Sequence, residues 1–485
     1  MMDARPSCET LARRLHDRLP LVYLVFCVPF GLAYCFIVPP LLVPDEWAHF
    51  SRAVQISYGD VIGEKPEGGR PGGQVPRSLT TFLSDPRFTR RLPSKKAAAE
   101  PTDPPRTPPA TSRLRFEEET EFHVCPFIRY PPSSYLFGSG AVWLGRAWQL
   151  DALSIFYLAR LCTFVPSAFM GWLALEWISS GRLFAFFTLS TPAILSLFGS
   201  CSQDAALISF TALAVGFVQR FLTPAAGCPP AVLPSGLFWG SLAASAAVGA
   251  VAAGRPPYLP MVGIVPLFFL AATRRWREAA ILAAVAVAVP AAWLWATRGL
   301  GSGNEFGSDH AGQVRFILAH PWQSVAVFFR SVWDYVYGTS YLRHLVAERP
   351  NGGPLSLWIY QAAGLAFVVT IARDAWLSRN TTRRDVRLAT VVLLCGAFFA
   401  IHLAGYVYFT PVGAENVRGI QGRYLAPILL AVTFVLGHMP SGLATTRSSR
   451  VACLLDLGSL ALAFGVIAVA NVASTINIMR NFYYP

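Results

Sequence analysis

The chain has 485 residues, of which 54% are hydrophobic and 14% charged, and its formal net charge at pH 7 is +13. Apolar stretches of about 17 to 25 residues recur along it, each long enough to cross a bilayer and too many for one water-soluble core. A backbone in lipid must satisfy its own hydrogen bonds, so the predicted fold class is all-α integral membrane. Many Lys and Arg residues flank the apolar stretches, as the positive-inside rule requires, and we expect no nucleic-acid partner.

The chain is expected to begin with a cytoplasmic segment, residues 1–18, and a first transmembrane helix within 19–43. Three arginines precede the apolar run, as they would in a signal peptide. No small-residue cleavage site follows, and the run ends in two prolines. We therefore interpret it as a retained helix with a cytoplasmic N-terminus.

The next loop, residues 44–131, is predicted to be extracytoplasmic and to open with a short helix. Pro44 is followed by Asp45 and Glu46, and a proline with two carboxylates favours a helix N-terminus. Either carboxylate is a candidate general base, since both precede a histidine by a helical interval. The alternative is that they only stabilise the helix terminus.

Two further side chains share a helical face with Asp45. His49 and Arg52 follow it at i+4 and i+7, so they are candidates to orient the base or to bind an anionic group. The alternative is that both are solvated surface residues. Asp45 and His49 have a spacing that suits a divalent metal, but two ligands are too few to assign a metal site.

The rest of this loop is rich in proline. Ten prolines lie between Asp60 and Arg113, together with glycines and charged residues. Such a composition buries too little apolar area to order itself, so a mobile excursion is predicted. The loop returns to the membrane at Tyr130-Pro131-Pro132, where the prolines enforce an extended entry or a rigid boundary, and Tyr130 is a candidate for substrate binding.

A transmembrane module is predicted over residues 132–297, with two polar sites at helix ends. Gln203 and Asp204 lie between two apolar runs, and Asp204 either caps the next helix or is a second catalytic or acceptor-binding carboxylate. Arg255 and Tyr258 mark the second site. Arginine suits phosphate because its planar fork donates paired hydrogen bonds, and the alternative is interfacial anchoring.

An extracytoplasmic loop, residues 298–354, follows, and its amphipathic, aromatic-rich stretch 314–337 is predicted to lie along the membrane surface. C-terminal transmembrane helices are expected within residues 355–485. One of them begins beside a Gln-Gly-Arg-Tyr sequence, which again places an arginine and a tyrosine at the mouth of a span. The candidates for substrate binding in this sequence are Gln421, Arg423 and Tyr424.

The charge pattern of the loops sets the topology. The apolar segments after the first lie at about 153–178, 183–200, 205–222, 236–253, 257–272, 279–297, 355–372, 387–409, 424–439 and 451–474. Segment 132–149 is expected to lie in the interface or to re-enter the membrane without crossing it, because its crossing would move three basic loops outside. Eleven spans result. The loops that then share the outer face are 44–131, 201–204, 254–256, 298–354 and 410–423.

Five short motifs in chain order resemble a bacterial family of polytopic membrane proteins known only as a domain of unknown function. They are Pro-Asp-Glu-x-x-His-Phe-x-Arg, Tyr-Pro-Pro, Gln-Asp-Ala, Arg-Pro-Pro-Tyr and Gly-Arg-Tyr, and they lie within a resemblance that spans about residues 21–467. That family is in turn similar to GT-C glycosyltransferases, which take a sugar from a polyprenyl-phosphate donor.

The resemblance implies a GT-C-like fold and a set of residue roles. The acidic residue of the first outer loop matches Asp45 or Glu46. Carried across, Asp45 would be the base, Asp204 an accessory acid, and Arg255 and Arg423 the ligands of the donor phosphate. The proline-rich excursion departs from this pattern, being longer and less ordered than a catalytic first loop needs.

We therefore expect an inverting glycosyltransferase of the bacterial cytoplasmic membrane, with a polyprenyl-phosphate-linked sugar donor and an extracytoplasmic glycan or lipid acceptor. The arginines would stabilise the departing phosphate. One alternative is a transporter or flippase of a lipid-linked or anionic solute, which would place charges near the bilayer midplane. Another is a non-catalytic envelope assembly protein, which a large distance between Asp45 and Arg423 would favour.

Overall fold

The computed structural model describes residues 8–85, 114–225, 236–301, 309–347, 354–377, 382–436 and 449–483. This part of the chain is mostly helical, as expected of an all-α integral membrane protein. Within it, eight helices are long and apolar enough to cross a bilayer. They are Leu19–Ile37, Ala152–Trp177, Gln203–Leu222, Leu237–Gly254, Pro256–Thr273, Trp276–Ala296, Arg384–Tyr408 and Cys453–Phe482.

Shorter helices and one small sheet complete the described architecture. The α-helices in chain order are α1 (Cys8–Asp17), α2 (Leu19–Ile37), α3 (Glu46–Ser57), α4 (Arg77–Leu83), α5 (Leu136–Ala147), α6 (Ala152–Trp177), α7 (Arg182–Leu189), α8 (Pro192–Phe198), α9 (Gln203–Phe217), α10 (Leu237–Gly254), α11 (Ile264–Thr273), α12 (Trp276–Ala296), α13 (His310–Ala319), α14 (Pro321–Tyr337), α15 (Ser340–Val346), α16 (Leu357–Leu377), α17 (Arg384–Tyr408), α18 (Ala426–Val432) and α19 (Ser449–Phe482). Strands β1 (Gly72–Pro76) and β2 (Thr120–Val124) pair antiparallel.

The apolar segment 183–200 forms two short helices. Helix α7 ends before Ser190, and α8 starts with Pro192 in its first turn, where the missing N–H of proline costs nothing. Both helices are buried among their neighbours. The backbone at the break between them is therefore covered by other protein segments, as an interrupted helix in a membrane requires.

Segment 132–149 contains the short helix α5, which has 12 residues. At about 1.5 Å per residue it measures about 18 Å, well short of the roughly 30 Å hydrocarbon core. This length agrees with the expectation that the segment does not cross the membrane.

Part of the proline-rich excursion is ordered, so the prediction of a mobile segment is wrong for residues 72–83. Strand β1 pairs with β2, and α4 follows it directly. The side chains Leu79 and Phe82 are buried against Phe50 of α3, in an apolar cluster with the start of α6. Residues 86–113 of the excursion lie outside the described part of the chain.

The amphipathic stretch 314–337 forms two helices, α13 and α14, which separate where Pro321 begins the second. Several aromatic side chains of α14 point outward: Trp322 is 84% exposed, and Trp333 and Tyr337 are also largely exposed. Exposed tryptophan and tyrosine of this kind are typical of a membrane–water interface.

A buried ion pair fixes α3 to the bundle. Arg160 of α6 donates to Glu46 through Nε at 2.9 Å and Nη2 at 2.6 Å, and both side chains are fully buried. The same guanidinium donates to the carbonyl oxygens of Cys35, Val38 and Pro39 at the end of α2. One side chain thus joins α2, α3 and α6, and sets where the start of α3 lies.

Arg160→Met should destabilise the protein strongly, because it leaves the Glu46 carboxylate buried without its counter-ion. The loss expected for a broken buried pair is about 3 to 5 kcal/mol, and it should appear as a lower melting temperature of the detergent-purified protein. The matched control is Arg383→Met, which breaks the exposed pair with Asp385 and should cost less than about 1 kcal/mol. Equal losses in the two variants would contradict the anchoring role.

Candidate functional site

Asp204 lies at the centre of a series of alternating charges. Arg255 Nη1 is 2.9 Å from Asp204 Oδ1, and Arg423 Nε is 3.2 Å from Asp204 Oδ2. Arg423 Nη2 is 3.5 Å from Asp45 Oδ2. We call Asp45, Arg423, Asp204 and Arg255 the charge chain. Its members come from four separate segments of the sequence, and the structure brings all four together.

The charge chain is closed at one end and open at the other. The side chain of Arg423 is 2% exposed and that of Asp204 is similarly buried, while Arg255 is nearly so. The side chain of Asp45 is 48% exposed. Asp45 is therefore the member that an external molecule can reach, and Arg423 is the positive charge beside it.

The backbone holds Asp45 in an unusual conformation. Its φ is 62° and its ψ is 10°, in the left-handed region, which Asp and Asn tolerate better than most residues. Asp45 is the N-cap residue of α3, but its side chain makes no capping hydrogen bond. The alternative that Asp45 only stabilises the helix terminus is therefore wrong, because its carboxylate is directed at Arg423 instead.

Asp204 does not cap its helix either. The N-cap of α9 is Ser202, whose Oγ accepts a hydrogen bond from the backbone N–H of Asp204. The capping alternative for Asp204 is therefore wrong. Its carboxylate, in the first turn of α9, is free to bind the two arginines.

The local sequence explains the position of Arg255. Helix α10 ends at Gly254, and Arg255 adopts an extended conformation with φ −144° and ψ 95°, because a residue before proline is disfavoured in a helix. Its guanidinium carbon lies 3.9 Å from the centre of the Tyr424 ring, a cation–π contact. Tyr258 Oη donates to the Tyr424 carbonyl at 2.7 Å. The two Arg-Tyr motifs of the sequence therefore pack on each other.

A close backbone approach positions Arg423. A Cβ at Gly422 would collide with the Tyr341 carbonyl oxygen of α15, so this residue must be glycine for the loop to pack there. Arg423 follows in the 3₁₀ turn Gly422–Leu425, which leads into α18. Gln421, another candidate from the sequence, precedes this turn, and its Oε1 has no hydrogen-bond partner within the described residues.

His49 and Tyr130 lie beside the charge chain in an aromatic pocket. His49 is almost completely buried, and its Nδ1 lies 2.7 Å from the Tyr135 hydroxyl. Its ring centre is 4.6 Å from that of Phe127 and 6.1 Å from that of Tyr130. The alternative of a solvated His49 is therefore wrong. Its buried side chain packs against these aromatic rings.

Arg52 is also buried, so the alternative of a solvated side chain is wrong for it too. It donates to the carbonyl oxygens of Tyr130 and Val61 and to Gln55 Oε1. These acceptors occupy its guanidinium, and the hydrogen bonds connect α3 to the loop segments at Val61 and Tyr130. Arg52 is therefore placed to position Tyr130 and not to bind an external anion.

Glu46 differs from its neighbour Asp45. Arg160 occupies both carboxylate oxygens, and the backbone N–H of Cys201 adds a third hydrogen bond at 3.2 Å. The oxygens of Glu46 are therefore occupied by donors of the protein itself. Of the two acidic candidates in α3, Asp45 alone is exposed.

The surroundings shift the protonation equilibria of two groups in opposite directions. Partial burial raises the pKa of the Asp45 carboxyl above its ordinary value of 3.8; Asp204 adds to this rise, while Arg423 and Arg255 oppose it. Burial lowers the pKa of His49 to about 3, which keeps its imidazole neutral at physiological pH. Asp45 is thus a stronger base than an ordinary aspartate, and His49 adds no charge.

Sequence reasoning missed two residues of this region, Ser134 and Tyr135. Both lie within three residues after the Tyr-Pro-Pro motif, which was the available signal. Within the described residues, no group of three or more His, Cys, Asp or Glu side chains is placed to hold a metal ion.

Fold and site together define a multi-pass helical membrane protein with a partly buried set of paired charges at the ends of its helices. The chain belongs to the family described as "Predicted membrane protein (DUF2142)", whose sequence profile matches residues 28–432. This range contains the whole charge chain. No curated protein and no solved structure matches the sequence.

Asp204→Asn should destabilise the protein by about 3 to 5 kcal/mol, because two buried arginines then lose their shared counter-ion. Asp45→Asn should change stability by less than about 1 kcal/mol, since the Asp45 contact is long and half exposed and asparagine tolerates the left-handed backbone. Melting temperatures of the two purified variants measure this difference. A large loss in Asp45→Asn would show that Asp45 is structural.

Proposed function

We propose that this protein is an inverting membrane glycosyltransferase that moves a sugar from a polyprenyl-phosphate-linked donor to an extracytoplasmic cell-envelope acceptor, a glycan or a lipid. The observation that carries the proposal is the contact between the open carboxylate of Asp45 and the buried guanidinium of Arg423. Such a transfer needs the base for the acceptor hydroxyl and the ligand of the departing phosphate in one site, so that the sugar carbon can lie between the acceptor oxygen and the phosphate.

Asp45 is assigned the role of general base. It takes the proton of the acceptor hydroxyl as the acceptor oxygen bonds to the anomeric carbon of the sugar. The bond from that carbon to the donor phosphate oxygen breaks at the same time, and the phosphate keeps the electron pair. Attack from the face opposite the phosphate inverts the anomeric configuration. The exposure and raised pKa of Asp45 support this assignment over Glu46.

Arg255 and Arg423 are assigned to the donor phosphate. Asp204 neutralises one of their two charges, so the three groups together retain a single positive charge. Asp204 also holds both guanidiniums in place before a ligand arrives, and donors fixed in advance stabilise a departing anion best. Asp204 is thereby given a positioning role, and the accessory-acid role implied by the resemblance is not needed.

The proposed topology has eleven spans, a cytoplasmic N-terminus and the charge chain on the extracytoplasmic face. Beyond the eight long helices, it counts the interrupted pair α7 and α8, helix α16, and the segment that starts with Gly422–Val432. The positive-inside rule supports the orientation. Arg255 precedes the span Pro256–Thr273, and a cluster of three arginines within 274–277 follows its other end.

Two observations favour the glycosyltransferase over a non-catalytic assembly protein and over a transporter or flippase. Asp45 and Arg423 are in contact, whereas a non-catalytic assembly role would be favoured by their separation. Arg160 lies inside a span but is fully paired with Glu46. It therefore does not supply the free intramembrane charge that a transporter or flippase commonly uses.

Asp45→Asn should lower the turnover number for sugar transfer by about a hundredfold or more, the usual effect of removing a general base, with little change in the KM for the donor. The assay is transfer of radiolabelled sugar from polyprenyl-phosphate donors in membranes that contain wild-type or variant protein at matched levels. Asp385→Asn, which alters an exposed ion pair in another loop, is the control and should keep full activity.

Activity of Asp45→Asn equal to that of wild type would remove Asp45 as the base. Wild-type membranes without activity on any donor, but with uptake or flipping of the lipid-linked sugar, would support the transporter instead.

The pH dependence of transfer should reflect Asp45 and not His49. Asp45 must be deprotonated to act, so the rate falls as pH drops through its pKa, and the raised pKa moves this loss above the pH that an ordinary value of 3.8 would give. His49 stays neutral and adds no step near 6.5. The measurement is kcat/KM between about pH 4 and 8. A step near 6.5 that disappears in His49→Gln would contradict this assignment.

A further inference from the structure

Gln203 is a buried amide whose hydrogen-bonding groups are both unused. Its side chain is 0% exposed, and neither Oε1 nor Nε2 has a hydrogen-bond partner among the described residues. It precedes Asp204 in the first turn of α9, so it lies next to the charge chain. Buried polar atoms are nearly always paired in folded proteins, and an amide with two unpaired ends requires an explanation.

A second unpartnered group lies close to Gln203. Ser134 is 7% exposed, and its Oγ also has no partner within the described chain. A Cβ built at Gly254 would lie 2.9 Å from Ser134 Oγ and 3.6 Å from Gln203 Oε1, so the Gly254 backbone packs closely against both polar side chains. We call Gln203, Ser134 and Gly254 the neutral cluster.

Two residues of the neutral cluster are direct sequence neighbours of the charge chain. Gln203 immediately precedes Asp204, and Gly254 immediately precedes Arg255. Asp204 and Arg255 form the 2.9 Å ion pair at the closed end of the chain. A ligand whose anionic group lies at the arginines would thus place its neighbouring neutral groups at Gln203 and Ser134.

A second glutamine, Gln219, provides a comparison, because its buried amide has a purely structural role. Gln219, at the far end of the same transmembrane helix, is also buried, but its Oε1 accepts from the N–H groups of Ser179 and Ser180. Its Nε2 donates to Ser180 O and to Thr433 Oγ1. Both ends of Gln219 are satisfied inside the protein, whereas neither end of Gln203 is. The contrast indicates that Gln203 faces a ligand.

We propose that Gln203 and Ser134 recognise a hydroxyl-bearing group of the ligand, so that the neutral cluster determines which sugar is accepted. An amide offers one donor end and one acceptor end, and neighbouring hydroxyls of a sugar offer both in return. A charged group would be disfavoured at these two side chains, because neither carries an opposite charge. The choice of a sugar rests on the proposed function, whereas the ligand-facing role of Gln203 does not.

The first experiment measures stability without any ligand. Gln203→Met keeps the shape of the side chain and removes two unpaired polar atoms, so the melting temperature of the purified protein should stay the same or rise. Gln219→Met, the matched control, loses five internal hydrogen bonds and should melt at a lower temperature. A drop in Gln203→Met as large as in the control would overturn the ligand-facing role.

The second experiment measures binding by thermal shift with undecaprenyl phosphate, bare or carrying glucose, galactose or arabinose. Wild type should bind one sugar-bearing lipid more tightly than the bare phosphate. In Gln203→Met, the affinity for the sugar-bearing lipid should fall about tenfold, while the affinity for the bare phosphate stays the same. Unchanged sugar preference in the variant would overturn the recognition role. Lipids that fail to stabilise even wild type would overturn the proposed function, and with it the sugar as ligand.

Discussion

A carboxylate that is removed from water must be paired, and the pairing of Asp204 organises this site. Its two oxygens bind Arg255 and Arg423, which belong to segments distant in sequence. The ends of α9, α10 and the turn before α18 therefore meet at one point. Because each arginine also depends on Asp204 for its charge balance, none of the three positions is free to move alone. A rigid positive centre results, and Asp45 lies at its edge.

The adjacent acidic residues Asp45 and Glu46 have different surroundings. Successive residues on a helix point in directions about 100° apart, so Asp45 and Glu46 face different surroundings. Glu46 faces inward and is locked to Arg160 with no exposure. Asp45 faces the open side and keeps a long, weak contact with Arg423. The buried pair fixes α3, and a fixed α3 holds the exposed carboxylate of Asp45 beside Arg423.

The sequence was enough to predict the helical membrane class and the grouping of Asp45, Asp204, Arg255 and Arg423, since apolar length and motifs at helix ends are local signals. Other features depend on distant contacts that local patterns do not reveal. The partner of Glu46 lies 114 residues away, so spacing could not distinguish it from Asp45. The order of residues 72–83 likewise comes from burial against α3 and α6, which composition alone does not show.

The most direct test of the proposed function is an experimental structure of the protein with a bound polyprenyl-phosphate sugar. If the proposal is correct, the phosphate lies within hydrogen-bond distance of Arg423 and Arg255, the sugar hydroxyls lie at Gln203 and Ser134, and the anomeric carbon lies on the side of Asp45. A phosphate bound elsewhere, with the charge chain intact and Asp45 facing empty solvent, would contradict it and leave the paired charges a purely structural role.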